Sequence, residues 1–436
     1  MTQLRRAIRL PHATALVVGT IIGASIFVQP SEITGAVPSV PGVLLVWAVA
    51  GALTIAGALV SAELASAYTR SGGVYVYLRE AFHPALGFLW GWAMFWVMHS
   101  GIIAAIAMIF ARYLGYFTPL GDWGVKLVAI GVICLISVIN YVGVRPGSVL
   151  QTAFTAGKVA AVLAIVALGF ALGGRAPEHF QGPTADAAVS LRGLFTGLVA
   201  GLFAFGGWHM VTYNADETVD PARTIPRALI IGTAIVTLCY VGMNVVYFFV
   251  LPFDRVAAST RVAADAADAV LGSGGGAILS GVVLFSTFGA LLGIVLTGPR
   301  VYYAMANDGL LFAWAGTVHP RFRTPHLAIA LQALWSATLV ATGTYRALFT
   351  RVVYTEWIFF GTMALGLILL RRRGLTPPYR APGFPAVPAL FALASFAIVV
   401  NQIVSDPGES LVGLSLVVAG LPVYVFGFGG RAGRVA

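Results

Sequence analysis

The stretch Gly19-Thr20-Ile21-Ile22-Gly23-Ala24-Ser25-Ile26-Phe27 interrupts the first long apolar run of the chain with small residues. Near the middle, Gly201-Leu202-Phe203-Ala204-Phe205-Gly206-Gly207-Trp208 interrupts another. Each lies in a run long enough to span a bilayer. Lipid offers no hydrogen bonds, so a break at membrane depth persists only where protein or a water-filled cavity satisfies the freed backbone groups. Paired breaks at matching places in two halves of a chain point to a transporter's substrate site. A single glycine-rich stretch is equally well explained by close helix packing. The two together favour the site.

Composition agrees. The 436 residues are 59% hydrophobic and only 10% charged, where a soluble domain carries about 25% charged residues. Mean hydropathy is +0.90. Segments of about 20 apolar residues are spanning candidates, and roughly twelve occur, near 13–30, 42–66, 85–115, 125–142, 149–173, 191–212, 228–251, 276–303, 327–343, 352–371, 385–404 and 410–428. They are called spans one to twelve below. The chain therefore reads as an all-α polytopic membrane protein, one transmembrane domain over 1–436.

The net charge of +10 is placed for topology rather than for nucleic acid. With both termini cytoplasmic, Arg5, Arg6, Arg9, Arg70, Arg79, Arg145, Arg223, Arg227, Arg300, Arg321, Arg323, Arg371, Arg372, Arg373, Arg380, Arg431 and Arg434 fall on the inner side. Only Lys126, Arg175, Arg192, Arg255, Arg261, Arg346 and Arg351 fall outside. This bias places the inner side in the cytoplasm of a cell inner membrane. Arg371-Arg372-Arg373 reads as a topology anchor, with contact to lipid headgroups as the lesser alternative. Cys134 and Cys239 lie inside apolar spans and read as small hydrophobes rather than a disulfide. The basic, apolar N-terminus lacks a small-residue cleavage site and reads as a permanent first helix.

Breaks in spans one and six imply five helices repeated with inverted topology, 1–173 and 190–371, followed by two extra helices over 385–429. Polar connections rich in Pro, Gly and Asp join them. The segment 254–276 has room for a short helix outside the bilayer, and 310–320 for another inside.

Unwinding at Gly23-Ala24-Ser25 frees N–H groups at the start of a half-helix, the positive pole of its dipole, where a carboxylate binds without Arg or Lys. The preceding half-helix ends in free carbonyls near Ile21. Phe203, Ala204 and Gly206 offer a second set. A carboxylate site beside an ammonium site suits an α-amino acid.

GTIIGASIF, Ser61-Ala62-Glu63-Leu64-Ala65 through Ser71-Gly72-Gly73, FAFGGW, Asp220-Pro221-Ala222-Arg223-Thr224-Ile225-Pro226-Arg227, and Gly298-Pro299-Arg300 to Asp308-Gly309-Leu310 occur in order along the chain. In these motifs it resembles the amino acid–polyamine–organocation superfamily of permeases, over spans one to eight at least. FAFGGW with Lys158 is most similar to bacterial relatives of the L-type amino acid transporters. The resemblance implies the LeuT-type fold. It implies that the Ala24 and Ser25 amides hold the substrate carboxylate. The carbonyls of Ile21, Phe203, Ala204 and Gly206 then hold its amino group, beside Gly23, with the Phe203 ring as a lid. One residue departs from the pattern: the family usually has glycine where this chain has Ser25, whose side chain either narrows the site or offers it a hydroxyl.

Lys158 is one of only two lysines and sits mid-span, where a charge is costly and usually functional. By resemblance its ammonium lies near the first and eighth helices, where sodium-coupled relatives bind an ion, with Ser286 and Thr287 as candidate partners. It is then a permanent sodium surrogate or a titrating group that couples protons. Snorkelling to the surface is the bland alternative. Tyr240 matches a family tyrosine lining the path near that lysine, or else satisfies a local carbonyl. His209 either touches the substrate side chain or is structural, and His99 is a weaker candidate of the same kind.

Glu63, near the inner end of span two, is expected to pair with a loop arginine or cap backbone groups. Glu356, near the outer end of span ten, is expected to face an outer vestibule. Span three carries no acid between Trp90 and Phe110. Neutral amino acids are therefore expected over cationic ones, carried by sodium-independent exchange or proton symport through alternating access. An organic-amine, polyamine or cationic amino acid permease is the alternative.

An intramembrane enzyme is disfavoured. The chain has no His-Glu-x-x-His and no Gly-x-Ser-x-Gly, and its histidines are scattered singly. No cofactor and no metal are expected. The loop 115–125 lacks the cysteine with which eukaryotic relatives hold a heavy chain, so no disulfide-linked subunit is expected. The remaining partners are the amino acid substrate and membrane lipid, not nucleic acid.

Overall fold

The computed structural model of the chain describes residues 8–23, 25–142, 148–173, 177–180, 189–272, 274–322 and 324–429. Ala24 lies outside the described residues, as do Arg5, Arg6, Arg145, Arg175, Arg323, Arg431 and Arg434. Among the described residues there is no strand, only an isolated bridge between Ile8 and Thr218.

Among the described residues, eleven helices are long and apolar enough to cross a membrane, and a shorter one, His326–Thr342, supplies span nine. The expected twelve-span, all-α architecture is therefore the observed one. Their starts are written in the sequence. Ser39, Ser190 and Thr344 each accept an N–H three residues on, from Gly42, Gly193 and Ala347, which satisfies an otherwise orphaned donor at each helix start. Span two (Val40–Ala67) and span seven (Pro221–Val250) lie against each other along much of their length. Small residues permit the approach: a side chain at Gly51 would meet Thr237 within 2.4 Å.

The outside is apolar. Leu238, Ile278, Leu334, Leu393, Val404 and Phe426 are all highly exposed, a surface suited to lipid. Cys134, expected to be packed, is exposed, whereas Cys239 is buried.

Several boundaries differ from expectation. Span one does not end near residue 30. Its helix Leu10–Ile21 stops at the break, a short turn Ser25–Phe27 follows, and a second piece, Gln29–Ala36, completes it. Beyond its break, span six continues as the 3₁₀ segment Trp208–Glu217 rather than as α-helix. The segment after Asp254 holds two short helices, Phe253–Ala258 and Val262–Leu271, and Ala313–Gly316 forms a short 3₁₀ turn. Span ten begins at Tyr345, not near 352.

Candidate functional site

The break in span one leaves carbonyls that each need a donor, and different elements supply them. The Val18 carbonyl accepts the Ile22 N–H at 2.7 Å. The Gly19 carbonyl accepts the Lys158 ammonium of span five (Ser148–Leu172) at 3.3 Å. The Ile21 carbonyl accepts the Gly23 N–H at 2.7 Å and lies 2.9 Å from the Tyr240 hydroxyl. The Gly23 carbonyl accepts the Ser286 hydroxyl of span eight (Gly275–Asn307) at 2.9 Å. Three neighbouring spans thus hold the unwound turn open.

The break in span six ends the helix Leu191–Ala204. Gly207 turns the chain with φ +95°, in the left-handed region that favours glycine. A Cβ there would sit 3.2 Å from the Thr20 carbonyl oxygen. The Thr20 hydroxyl in turn lies 3.2 Å from the Gly207 carbonyl. The two breaks therefore touch. Tyr240 joins them again, since its hydroxyl is also 3.1 Å from the Ala204 carbonyl.

Between the breaks lies a cavity. Thr20, Ile21, Gly23, Ser25, Phe203, Ala204, Gly206 and Gly207 line it from spans one and six. Met210 comes from the 3₁₀ segment, Ile102 and Ile106 from span three, Ile294 from span eight, and Val352 and Glu356 from span ten. Its volume is about 20 Å³, room for a water or two but not for an amino acid. Contacts tie the elements together at both ends of the molecule. At one end Phe203 packs on Phe349 with ring centres 5.5 Å apart, Gln29 donates to the Tyr345 hydroxyl at 3.0 Å, and Glu32 pairs with Arg346. At the other, Arg79 donates to Asp308 at 2.6 Å, Ser71 and Asp216 exchange hydrogen bonds, and Arg300 reaches Glu217 at 3.4 Å. Tyr75 also donates to Asp308 at 2.7 Å. Burial, and then the Asp308 carboxylate, hold its phenol above the usual range, so it remains a donor.

Most of the residues expected at the site are brought together. Ile21, Gly23, Ser25, Phe203, Ala204 and Gly206 all line the cavity; Ala24 lies outside the described residues. Lys158 is only 4% exposed, which removes the snorkelling alternative. It meets span one as expected, but Ser286 and Thr287 are not its partners. The Ser286 hydroxyl bonds Gly23, and the Thr287 hydroxyl turns back to the Val283 carbonyl at 2.5 Å. The Tyr240 hydroxyl meets the Ile21 and Ala204 carbonyls, as the local-carbonyl alternative expects.

His209 does not line the cavity. Its ring sits among Trp90, Trp208, Tyr213 and Phe360, with centroids 5.0–5.8 Å away, and Met210 takes its place at the wall. His99 donates from Nε2 to the Ile294 carbonyl at 2.8 Å. Neither histidine is among the cavity-lining residues.

The two buried acids part company. Glu63 accepts both guanidinium arms of Arg371 and the Ala381 N–H at 2.8 Å. Arg371, expected as a topology anchor, is thus also half of a buried ion pair. Glu356, expected near the end of its span and facing a vestibule, instead reaches the cavity wall. Arg346 and Arg351 dilute the hydropathy at the start of span ten, so the apolar run read from the sequence begins late. The helix begins at Tyr345, which puts Glu356 about 16 Å from its start at 1.5 Å per residue. The expectation of a neutral substrate rested on a pocket without an acid, and that ground is gone. The signal available in the sequence was the acid itself, since an intramembrane carboxylate marks a functional site by default.

Comparison with known proteins bears on this geometry. The model of the family described as amino acid permease matches residues 8–428. The b(0,+)-type amino acid transporter 1 of Mus musculus is 31% identical over 432 residues, covering 97% of this chain and 88% of the mouse protein. The serine/threonine exchanger SteT of Bacillus subtilis (strain 168) is 30% identical over 426 residues, covering 97% and 96%. The cystine/glutamate transporter of Homo sapiens is 30% identical over 429 residues, covering 97% and 85%.

Proposed function

The chain belongs to the amino acid permease family of the amino acid–polyamine–organocation superfamily, a multi-pass membrane transporter of amino acids and not an enzyme, and from that premise we propose a sodium-independent exchanger working by alternating access. The observation that carries the reading is the meeting of the two broken spans at one cavity, where Ile21 and Ser25 face Phe203, Ala204 and Gly206. The substrate carboxylate binds the amides of Ala24 and Ser25. Its ammonium binds the carbonyls of Ile21, Phe203, Ala204 and Gly206, two of which now share the Tyr240 hydroxyl. The Ala204 carbonyl keeps a second lone pair for the ammonium, whereas the Ile21 carbonyl, which already accepts the Gly23 N–H and the Tyr240 hydroxyl, gives one of them up to receive it.

Lys158 stands in for a coupling cation. Its ammonium donates to the Gly19 carbonyl, so the turn is held by a tethered side chain rather than by an ion that binds and leaves. That favours exchange over ion symport, and the Bacillus subtilis relative is named an exchanger. Phe203 is the lid at one end, against Phe349, and the Arg79–Asp308 pair closes the other. Rocking of one helix group against another, organised as two inverted five-helix repeats with two added helices, opens each end in turn. The positive-inside bias supports an orientation with both termini inside, and the bacterial relative supports a cytoplasmic-membrane location.

Competition by modified ligands tests the site. An α-amino acid should displace bound label, while its carboxamide and its N-acetyl form should each lose at least about tenfold, since a removed charged hydrogen bond costs about 1.5–3 kcal/mol. Equal binding of all three contradicts the reading.

A further inference from the structure

Glu356 is the one acid among the cavity-lining residues. It is 5% exposed, deep within span ten (Tyr345–Arg372). Neither a hydrogen bond nor an ion pair reaches its carboxylate from the described residues. Glu63, similarly buried, has Arg371 and the Ala381 N–H. A buried carboxylate left unpaired is costly. Its retention at a ligand cavity is explained if the ligand brings the partner.

The surroundings specify that partner. With the α-amino and α-carboxyl groups held by the broken spans, the substrate side chain projects toward the wall built by spans three, eight and ten. There Ile102, Ile106, Ile294 and Val352 are aliphatic, and Glu356 is the polar group among them. A methylene stem packs on such a wall while its tip reaches a charge, the manner in which a lysine side chain divides its surface.

We propose that Glu356 is the specificity-determining residue for the substrate side chain, selecting amino acids with a basic group at the end of an aliphatic stem. The assignment rests on the amino-acid reading of the same cavity.

The test uses purified full-length protein in sodium-free proteoliposomes loaded with unlabelled amino acids. L-lysine is compared with norleucine, its neutral counterpart in length, in the wild type and in Glu356→Gln and Glu356→Asp. In the wild type, lysine should have the lower KM. Glu356→Gln should raise the lysine KM on the order of tenfold to a hundredfold relative to the norleucine KM, as loss of a charged hydrogen bond does. Glu356→Asp should restore part of the lysine preference.

A Glu356→Gln effect equal on lysine and norleucine, or absent on both, overturns the assignment. Where the variants do not fold, the wild type decides alone: lysine no better than norleucine overturns it. Uptake of neutral but not basic amino acids sinks only the role of Glu356. No uptake of any amino acid sinks the underlying reading as well.

Discussion

The Lys158 ammonium donates to the Gly19 carbonyl at 3.3 Å, tying span five to the last intact turn before the break in span one. Thr155, one turn earlier, donates to Ala15 at 3.1 Å, and a Cβ on Gly19 would come within 2.3 Å of its hydroxyl. The close approach of the two helices and the charged bond belong to one contact. Lys158→Met retains the length of the side chain in an apolar wall and removes only the charge. Exchange should fall about tenfold to a hundredfold, the rate equivalent of a lost charged hydrogen bond, with the protein still folded by gel filtration. Unchanged exchange would remove Lys158 from the mechanism.

Tyr240 holds the Ile21 and Ala204 carbonyls together, at 2.9 and 3.1 Å. In Tyr240→Phe both lose a buried donor, at a cost of about 1–3 kcal/mol, seen as a lower melting temperature. A bound substrate ammonium would supply the missing donor. The amino acid should therefore raise the melting temperature of Tyr240→Phe more than that of the wild type. An equal rise in both would place the ammonium elsewhere.

Gly207 is required twice, by its φ of +95° and by its distance from Thr20. Gly207→Ala adds left-handed strain of about 1–2 kcal/mol and pushes the two breaks apart. Substrate binding, measured by scintillation proximity, should be abolished or weakened at least about tenfold. Near-normal binding would show that the breaks need not touch.

Glu63 provides the contrast with Glu356. Breaking a buried pair by removing one partner costs about 3–5 kcal/mol. Glu63→Gln should consequently lower thermal stability markedly, since the amide carries no charge to pair with Arg371 and has one accepting oxygen where Glu63 uses two. The KM values of the protein that remains folded should be those of the wild type. A shift in the ratio of lysine to norleucine KM would contradict a structural role for Glu63.

The features legible in the sequence are those set by local chemistry. Small residues within apolar runs marked both breaks, and six of the residues named for the site line the cavity. Lys158 stood out because a lone lysine at membrane depth has few explanations. What escaped depends on partners far away in the chain. His209 has Trp208 and Tyr213 beside it in sequence, but Trp90 from span three and Phe360 from span ten complete its cage, and those two are far away in the chain. The Ser286 hydroxyl goes to Gly23 rather than to Lys158, a choice made only by helix rotation. Glu356 was misplaced because Arg346 and Arg351 break the hydropathy of span ten, whereas the helix, begun at the Thr344 cap, runs through them.

Counterflow in proteoliposomes tests the central claim most directly. Vesicles holding the purified protein are loaded with unlabelled amino acid or with buffer, and uptake of labelled amino acid is followed in sodium and in choline medium. The account predicts uptake that needs internal amino acid and is the same in both media, because Lys158 already occupies the place of a coupling cation. Uptake that appears only with an inward sodium gradient, whatever the vesicles contain, would contradict it.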